Sequence, residues 1–230
     1  MIRAMVKGHW QMALISAVIF ALWSTPMVIP LKILIVLQHE LSHALVIVLT
    51  GGNVESLTID AQQGGLVVAR GGNRFLSLSA GYVGSLTLGV VLFLVAVRTK
   101  WDRVLMAFLG GTILLAATLF VRETFALLFC IFTGGVMIAA ARYLSRDLND
   151  LFLRVIGLTS MIYVPFDIFS DTIARSHLRS DARMLSEEFG GLTMFWGGLW
   201  LIISLCVVAA CLRYGLGDDS NVIRRRPKQT

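Results

Sequence analysis

Residues 31–49 read LKILIVLQHELSHALVIVL. The run is long enough to cross a bilayer as one helix, and only Lys32, Gln38 and the cluster His39-Glu40-Leu41-Ser42-His43 break its apolar character. The cluster has the pattern H-E-x-x-H. On a helix its two histidines are four residues apart, so they leave from one face and can hold one Zn²⁺. Glu40 stands beside them, where a carboxylate can take a proton from water at the metal. Ionisable groups at membrane depth are costly and mark function, and a metal site explains why these three are tolerated there.

The rest of the chain fits that context. Of 230 residues 57% are hydrophobic, and the mean hydropathy is +0.79, which places the protein among polytopic membrane proteins. With only four histidines in the chain, an accidental H-E-x-x-H is rare. The net charge of +6 gathers in short loops and in the tail Arg224-Arg225-Arg226-Pro227-Lys228. Such flanks suit anionic lipid better than nucleic acid, so the lipid bilayer is expected as a partner and nucleic acid is not. Cys130, Cys206 and Cys211 are odd in number and lie in apolar runs, without disulfide or metal-site spacing. The basic start (Arg3, Lys7) resembles a secretory signal but lacks a small-x-small cleavage site, so an uncleaved first span is expected.

Apolar runs predict up to seven spans: Trp10–Thr25, Leu31–Leu49, Phe75–Val97, Val104–Val121, Phe125–Ala141, Leu151–Ile173 and Leu192–Leu212. The first is short, and Pro26 and Pro30 pin its turn into the second. Seven passes would set the basic N-terminus and the basic tail on opposite faces, against the positive-inside trend. Either one pass is overcounted, the first being the prime candidate, or the N-terminus lies outside. Between the second and third spans the texture changes. Val54 to Asp60 alternates apolar with polar, Gly65 to Arg70 follows a polar turn, and glycine pairs bracket both, which predicts a β-hairpin over 54–70. The expected architecture is therefore an all-α polytopic membrane protein of six to seven transmembrane helices with a small hairpin. Residues 1–217 form one domain, and 218–230 a basic, disordered tail.

Two histidines do not complete a catalytic zinc site, which takes three protein ligands and leaves a fourth position open. Most acids, Asp181, Glu187 and Glu188 among them, fall in predicted loops; Asp167 and Asp171 lie inside the sixth span, four residues apart on one face. The second and sixth spans run in the same direction. At about 1.5 Å per residue, Asp167 comes closer in height to His43, and Pro165 loosens the helix beside it. Asp167 is the expected third ligand. Asp171 is expected to orient a ligand or to replace Asp167, and an ion pair with Arg175 or Arg179 is the competing role for it. His9, beside Trp10, and His177, in a loop where a solvated histidine is expected, receive no role.

These residues resemble the site-2 protease group of intramembrane zinc metalloproteases, in particular its M50B-like branch. The resemblance rests on His39-Glu40-Leu41-Ser42-His43, on the hairpin that follows, on Pro165-Phe166-Asp167, on Ala80-Gly81-Tyr82-Val83-Gly84-Ser85 and on Ser180-Asp181-Ala182. It implies an integral, multi-pass protein of the cell membrane that hydrolyses peptide bonds of a transmembrane protein substrate. Zn²⁺ would be held by His39, His43 and Asp167, with Glu40 as general base. The chain departs from the group's pattern where Ile168 follows Asp167 in place of glycine, and it carries no PDZ domain. The alternatives are a non-catalytic metal-binding membrane scaffold and a metal transporter. The latter commonly shows internal repeats, which this sequence lacks. The sequence carries no sign of an oligomeric state.

Overall fold

In the computed structural model the chain is described over residues 2–175, 179–217 and 219–222, with backbone alone for 2–7. Among these residues there are eight α-helices and one hairpin: α1 (Ile2–Leu22), α2 (Ile29–Leu49), β1 (Asn53–Ile59), β2 (Gly65–Arg70), α3 (Arg74–Arg98), α4 (Asp102–Phe120), α5 (Thr124–Tyr143), α6 (Arg146–Phe169), α7 (Asp181–Phe189) and α8 (Thr193–Ala210). Six stretches are long and apolar enough to cross a membrane: Pro26–Leu49, Arg74–Arg98, Asp102–Phe120, Thr124–Tyr143, Arg146–Ala174 and Thr193–Gly215. The protein is thus an integral, multi-pass membrane protein. The expected first span is not among them; within α1, Gly8–Leu22 is a shorter apolar stretch among the described residues. His177 lies outside the described residues.

Helix ends follow local chemistry. Asn73 caps α3 by accepting from the Leu76 amide, and Ser145 caps α6 by accepting from the Leu148 amide. Pro30 sits in the first turn of α2, where its missing N–H costs nothing. Pro165, deep in α6, removes one intrahelical hydrogen bond, and the helix widens into a π-type turn over Ser170–Ala174.

α3 lies between α2 and α6 and packs on both. Lipid offers no hydrophobic drive for helices to associate, so small residues that admit close backbone approach decide where they meet. At the α3–α6 crossing, a Cβ on Gly157 would stand 2.6 Å from the Gly89 carbonyl oxygen and 2.8 Å from the Phe93 Cβ. The Ser160 hydroxyl there donates to the Ser85 carbonyl at 2.8 Å. Gly110 and Gly134 play the same part between α4 and α5.

The hairpin is antiparallel, with Leu57 opposite Val67 and Ile59 opposite Gly65, and its register slips between Val54 and Ser56. Asp60 closes the turn by accepting from the Gln62 and Gly64 amides, both at 2.8 Å. Leu57 also bridges to Val121 beyond α4, and Thr58 donates to Glu123 at 2.6 Å. β1 is therefore held on both sides, and β2 is the outer strand.

The two described ends of the chain meet. The Ser220 amide donates to the Gly8 carbonyl at 2.9 Å, His9 hydrogen-bonds the Ser220 hydroxyl at 2.8 Å, and the Val222 amide donates to Gln11 at 2.7 Å. Of the tail expected to be disordered from residue 218, residues 219–222 thus pack on α1, and 223–230 lie outside the described residues. Beneath them, buried Arg154 pairs with Asp150 at 2.7 Å and donates to the Ser220 and Ala96 carbonyls. α1 runs alongside α6 in the same sense, with Met12 beside Arg154 and Trp23 against Tyr163 and Phe166. α3 runs opposite to both α2 and α6. α1 and α2 therefore point the same way and share one pass, and the described residues make six.

Gly157→Ala is expected to lower stability in detergent by about 1–3 kcal/mol, because backbone and not a mobile side chain stands in the way. Gly135→Ala, with nothing within 4 Å of its added Cβ, is expected to be neutral. Thermal unfolding of the two variants checks this.

Candidate metal centre

Four elements supply the site. α2 carries His39, Glu40 and His43; α3 presents Ser77, Gly81 and Tyr82; β2 presents Gly65; and α7 presents Asp181. The two imidazoles lie 4.7 Å apart, ring centre to ring centre, and nearly perpendicular at 73°. Asp181 Oδ2 lies 3.0 Å from His39 Nε2 and 3.2 Å from His43 Nε2. One ligand atom from each of His39, His43 and Asp181 falls within 4.8 Å of the others, and this is the group among the described residues that could hold a metal ion.

The hydrogen bonds argue for a cation. His43 Nδ1 stands 2.7 Å from the Ser77 carbonyl oxygen, which can only accept, so Nδ1 carries the proton. In the neutral ring Nε2 then holds a lone pair, and it faces a carboxylate oxygen. Burial alone would raise the Asp181 carboxyl; the neighbouring His43 and His39 outweigh it and hold the group well below the usual carboxylate range. Two acceptors face to face, largely screened from water, require a second ring proton or a metal ion between them. Two imidazole nitrogens and one carboxylate oxygen form a common donor set of catalytic zinc sites. Ligand atoms around tetrahedral zinc stand about 3.3 Å apart, close to both separations here. The residues fit the ion.

Gly81 makes room for it. A Cβ at this position would overlap His39 Nε2 and crowd His43 Nε2. Behind His39 stands Tyr82, edge-on at 4.7 Å between ring centres, with its hydroxyl donating to Asp171 at 2.8 Å. Glu40 is buried on the neighbouring face of α2, beneath the start of β2, and a Cβ on Gly65 would collide with its carboxylate. The hairpin backbone thus closes directly over this acid.

His39 and His43 come together as expected, with Glu40 next to them. The carboxylate beside them is Asp181, whereas Asp167 stands outside the group. Asp167 remains half-buried in α6, associated with Tyr163 and within electrostatic reach of His39. Asp171 is held by Tyr82 and by an ion pair with Arg175 at 2.8 Å, the competing role named for it. Asp181, Glu187 and Glu188, taken as loop acids, belong to the amphipathic helix α7. Its amide at Arg183 is capped by the Ser180 hydroxyl, and buried Ala182 lets it sit close to the bundle. The chain therefore turns back after α6 and brings Asp181 to the histidines. Ser180-Asp181-Ala182 thus supplies a cap, a carboxylate beside the two imidazoles and a small contact. The cap followed by an acid in the first helical turn was the signal available in the sequence.

A family model described as Peptidase M50B-like matches residues 12–211. No curated protein and no solved structure matches the chain.

Gly81→Ala is expected to weaken metal binding by about 10–100-fold, the scale of disturbing the groups that orient ligands. Gly111→Ala, whose added Cβ meets nothing within 4 Å, should leave binding unchanged. Metal titration of the purified proteins reads the difference.

Proposed function

Since the chain belongs to the M50B-like peptidases, a family of membrane metallopeptidases, we propose that it is a zinc-dependent endopeptidase that cuts transmembrane protein segments within the bilayer. His39, His43 and Asp181 hold the ion, and Glu40 is the general base. The observation that carries this reading is the convergence of two Nε2 atoms and one carboxylate oxygen beside a buried glutamate. Bound there, zinc would polarise the scissile carbonyl and make the attacking water more acidic.

The protein's own groups do the rest. Ser77 fixes the tautomer and the ring plane of His43 through its carbonyl. Tyr82 backs the His39 ring and restricts its rotation. Glu40 takes the proton as water adds to the peptide carbonyl. It returns that proton to the amide nitrogen as the C–N bond breaks, leaving a carboxylate and an amine. Burial beneath β2 keeps Glu40 away from bulk water, and Gly65 lets the strand approach without displacing it.

A helical substrate hides its carbonyls in its own hydrogen bonds, so it must unwind before attack. β2 is the outer strand of the hairpin and runs over Glu40, and its outer edge suits pairing with an unwound segment. Such pairing holds the scissile bond extended next to the base.

Glu40→Gln is expected to lower cleavage by about 10²–10⁴-fold, the usual contribution of a general base, while zinc stays at one per chain. Cleavage that survives this change would favour a metal-binding scaffold or a transporter. Asp181→Asn should lose the ion and Asp167→Asn should keep it, as read by metal analysis of purified protein. The reverse result would return the third-ligand role to Asp167.

A further inference from the structure

The face of the bundle opposite the hairpin carries a feature that the candidate centre does not use. Where α3 gives way to α4, a groove of about 290 Å³ is lined by Val95, Thr99, Trp101, Val104, Leu105 and Phe108. Thr99 is the C-cap of α3 and Trp101 the N-cap of α4, so the groove begins where two membrane spans end. Trp101 is 66% exposed, as suits a tryptophan at headgroup level. Phe108 lies seven residues further along α4, which places it about 10 Å deeper. The groove thus runs from the interface into the hydrocarbon, the direction that a lipid takes.

Its walls offer little to a polar ligand. Apart from the Trp101 indole N–H at the lip, the Thr99 hydroxyl is their one polar side-chain group, and it is satisfied within the turn. It donates to the Val95 carbonyl at 2.9 Å and accepts from the Trp101 amide at 3.1 Å. A space without free polar partners holds hydrocarbon better than water.

The rim has the opposite character. Arg98, Lys100 and Arg103 are exposed there. Arg98 donates to the Gly215 and Tyr214 carbonyls and Arg103 to the Leu144 carbonyl, contacts that leave both charges uncompensated. The turn holds one acid, Asp102, which is 1% exposed and paired with Arg146. Beyond the turn, Asp150 is paired with Arg154, and exposed Arg142 and Asp147 are of opposite sign. Among the described residues of the C-terminal segment, Arg213 and Asp219 are likewise of opposite sign. The excess at the rim is therefore positive, and cations at the membrane surface attract anionic headgroups.

We propose that this groove binds one anionic phospholipid, with an acyl chain against Val95, Val104, Leu105 and Phe108 and the phosphate at Lys100 and Arg103. The lipid joins α3 to α4, which pack only sparsely on each other.

The test uses the purified full chain in phosphatidylcholine vesicles containing a minor share of lipid brominated on its acyl chains, with either a phosphatidylglycerol or a phosphatidylcholine headgroup. Bromine quenches tryptophan only at close contact, and the Trp101 signal is the difference between the wild type and Trp101→Phe. Half-quenching is expected at a share of the anionic lipid about fivefold or more below that of the zwitterionic one. Lys100→Gln combined with Arg103→Gln is expected to remove that difference. Val95→Phe, which fills the groove and leaves every rim charge in place, is expected to remove it as well. Phe132→Trp in the Trp101→Phe background, on an exposed part of α5, is expected to show none. Equal quenching of Trp101 by the two lipids would overturn the proposal. So would a preference that survives either the charge variant or the groove variant, or one that Phe132→Trp shares, because the attraction would then be a diffuse property of the surface.

Discussion

A carboxylate oxygen facing an imidazole lone pair, in a place largely closed to water, is the constraint around which this bundle is arranged. The Ser77 carbonyl sets it by holding the proton of His43 on Nδ1. Asp181 completes it from α7, the next α-helix after α6. Without a cation or an added proton, the contact would be repulsive. Each neighbouring element either holds one of these groups or stays out of their way.

Close approach makes the arrangement possible. Along α3, Gly81 yields space to the histidines, Gly84 to Ser42, and Gly89 to Ser160. α3 therefore lets α2 and α6 come near on opposite sides, and a side chain at any of these positions would wedge them apart. The same logic extends to Gly65, where strand backbone lies against Glu40. Since the hairpin is anchored through β1 to the α4–α5 turn, the position of the Glu40 carboxylate depends on parts of the chain far from the two histidines in sequence.

At the other face, buried Arg154 organises the chain ends. It is paired with Asp150 on its own helix and also reaches carbonyls of α3 and of the C-terminal segment. A buried charge with these partners is expensive to break apart, because any loss leaves it uncompensated. Its contact with Met12 and the hydrogen bonds between residues 8–11 and 220–222 fix the direction of α1. That direction merges α1 with α2 into a single pass.

Composition and periodicity were enough to establish a polytopic helical membrane protein, because apolar runs of bilayer length have few other uses. H-E-x-x-H was enough to join His39, Glu40 and His43, because helical geometry fixes which residues share a face. The hairpin was legible from alternation between glycine pairs. The third carboxylate was not. Depth along a span singled out Asp167, but depth is a one-dimensional measure and gives no account of a chain that folds back on itself. Only the turn after α6, the Ser180 cap and the burial of Ala182 bring Asp181 beside the imidazoles, and these are facts of packing between segments. The direction of α1 was hidden for the same reason: hydropathy records that a helix is apolar, while its sense relative to its neighbours is decided by the long-range contacts of Met12, Trp23 and Ser220.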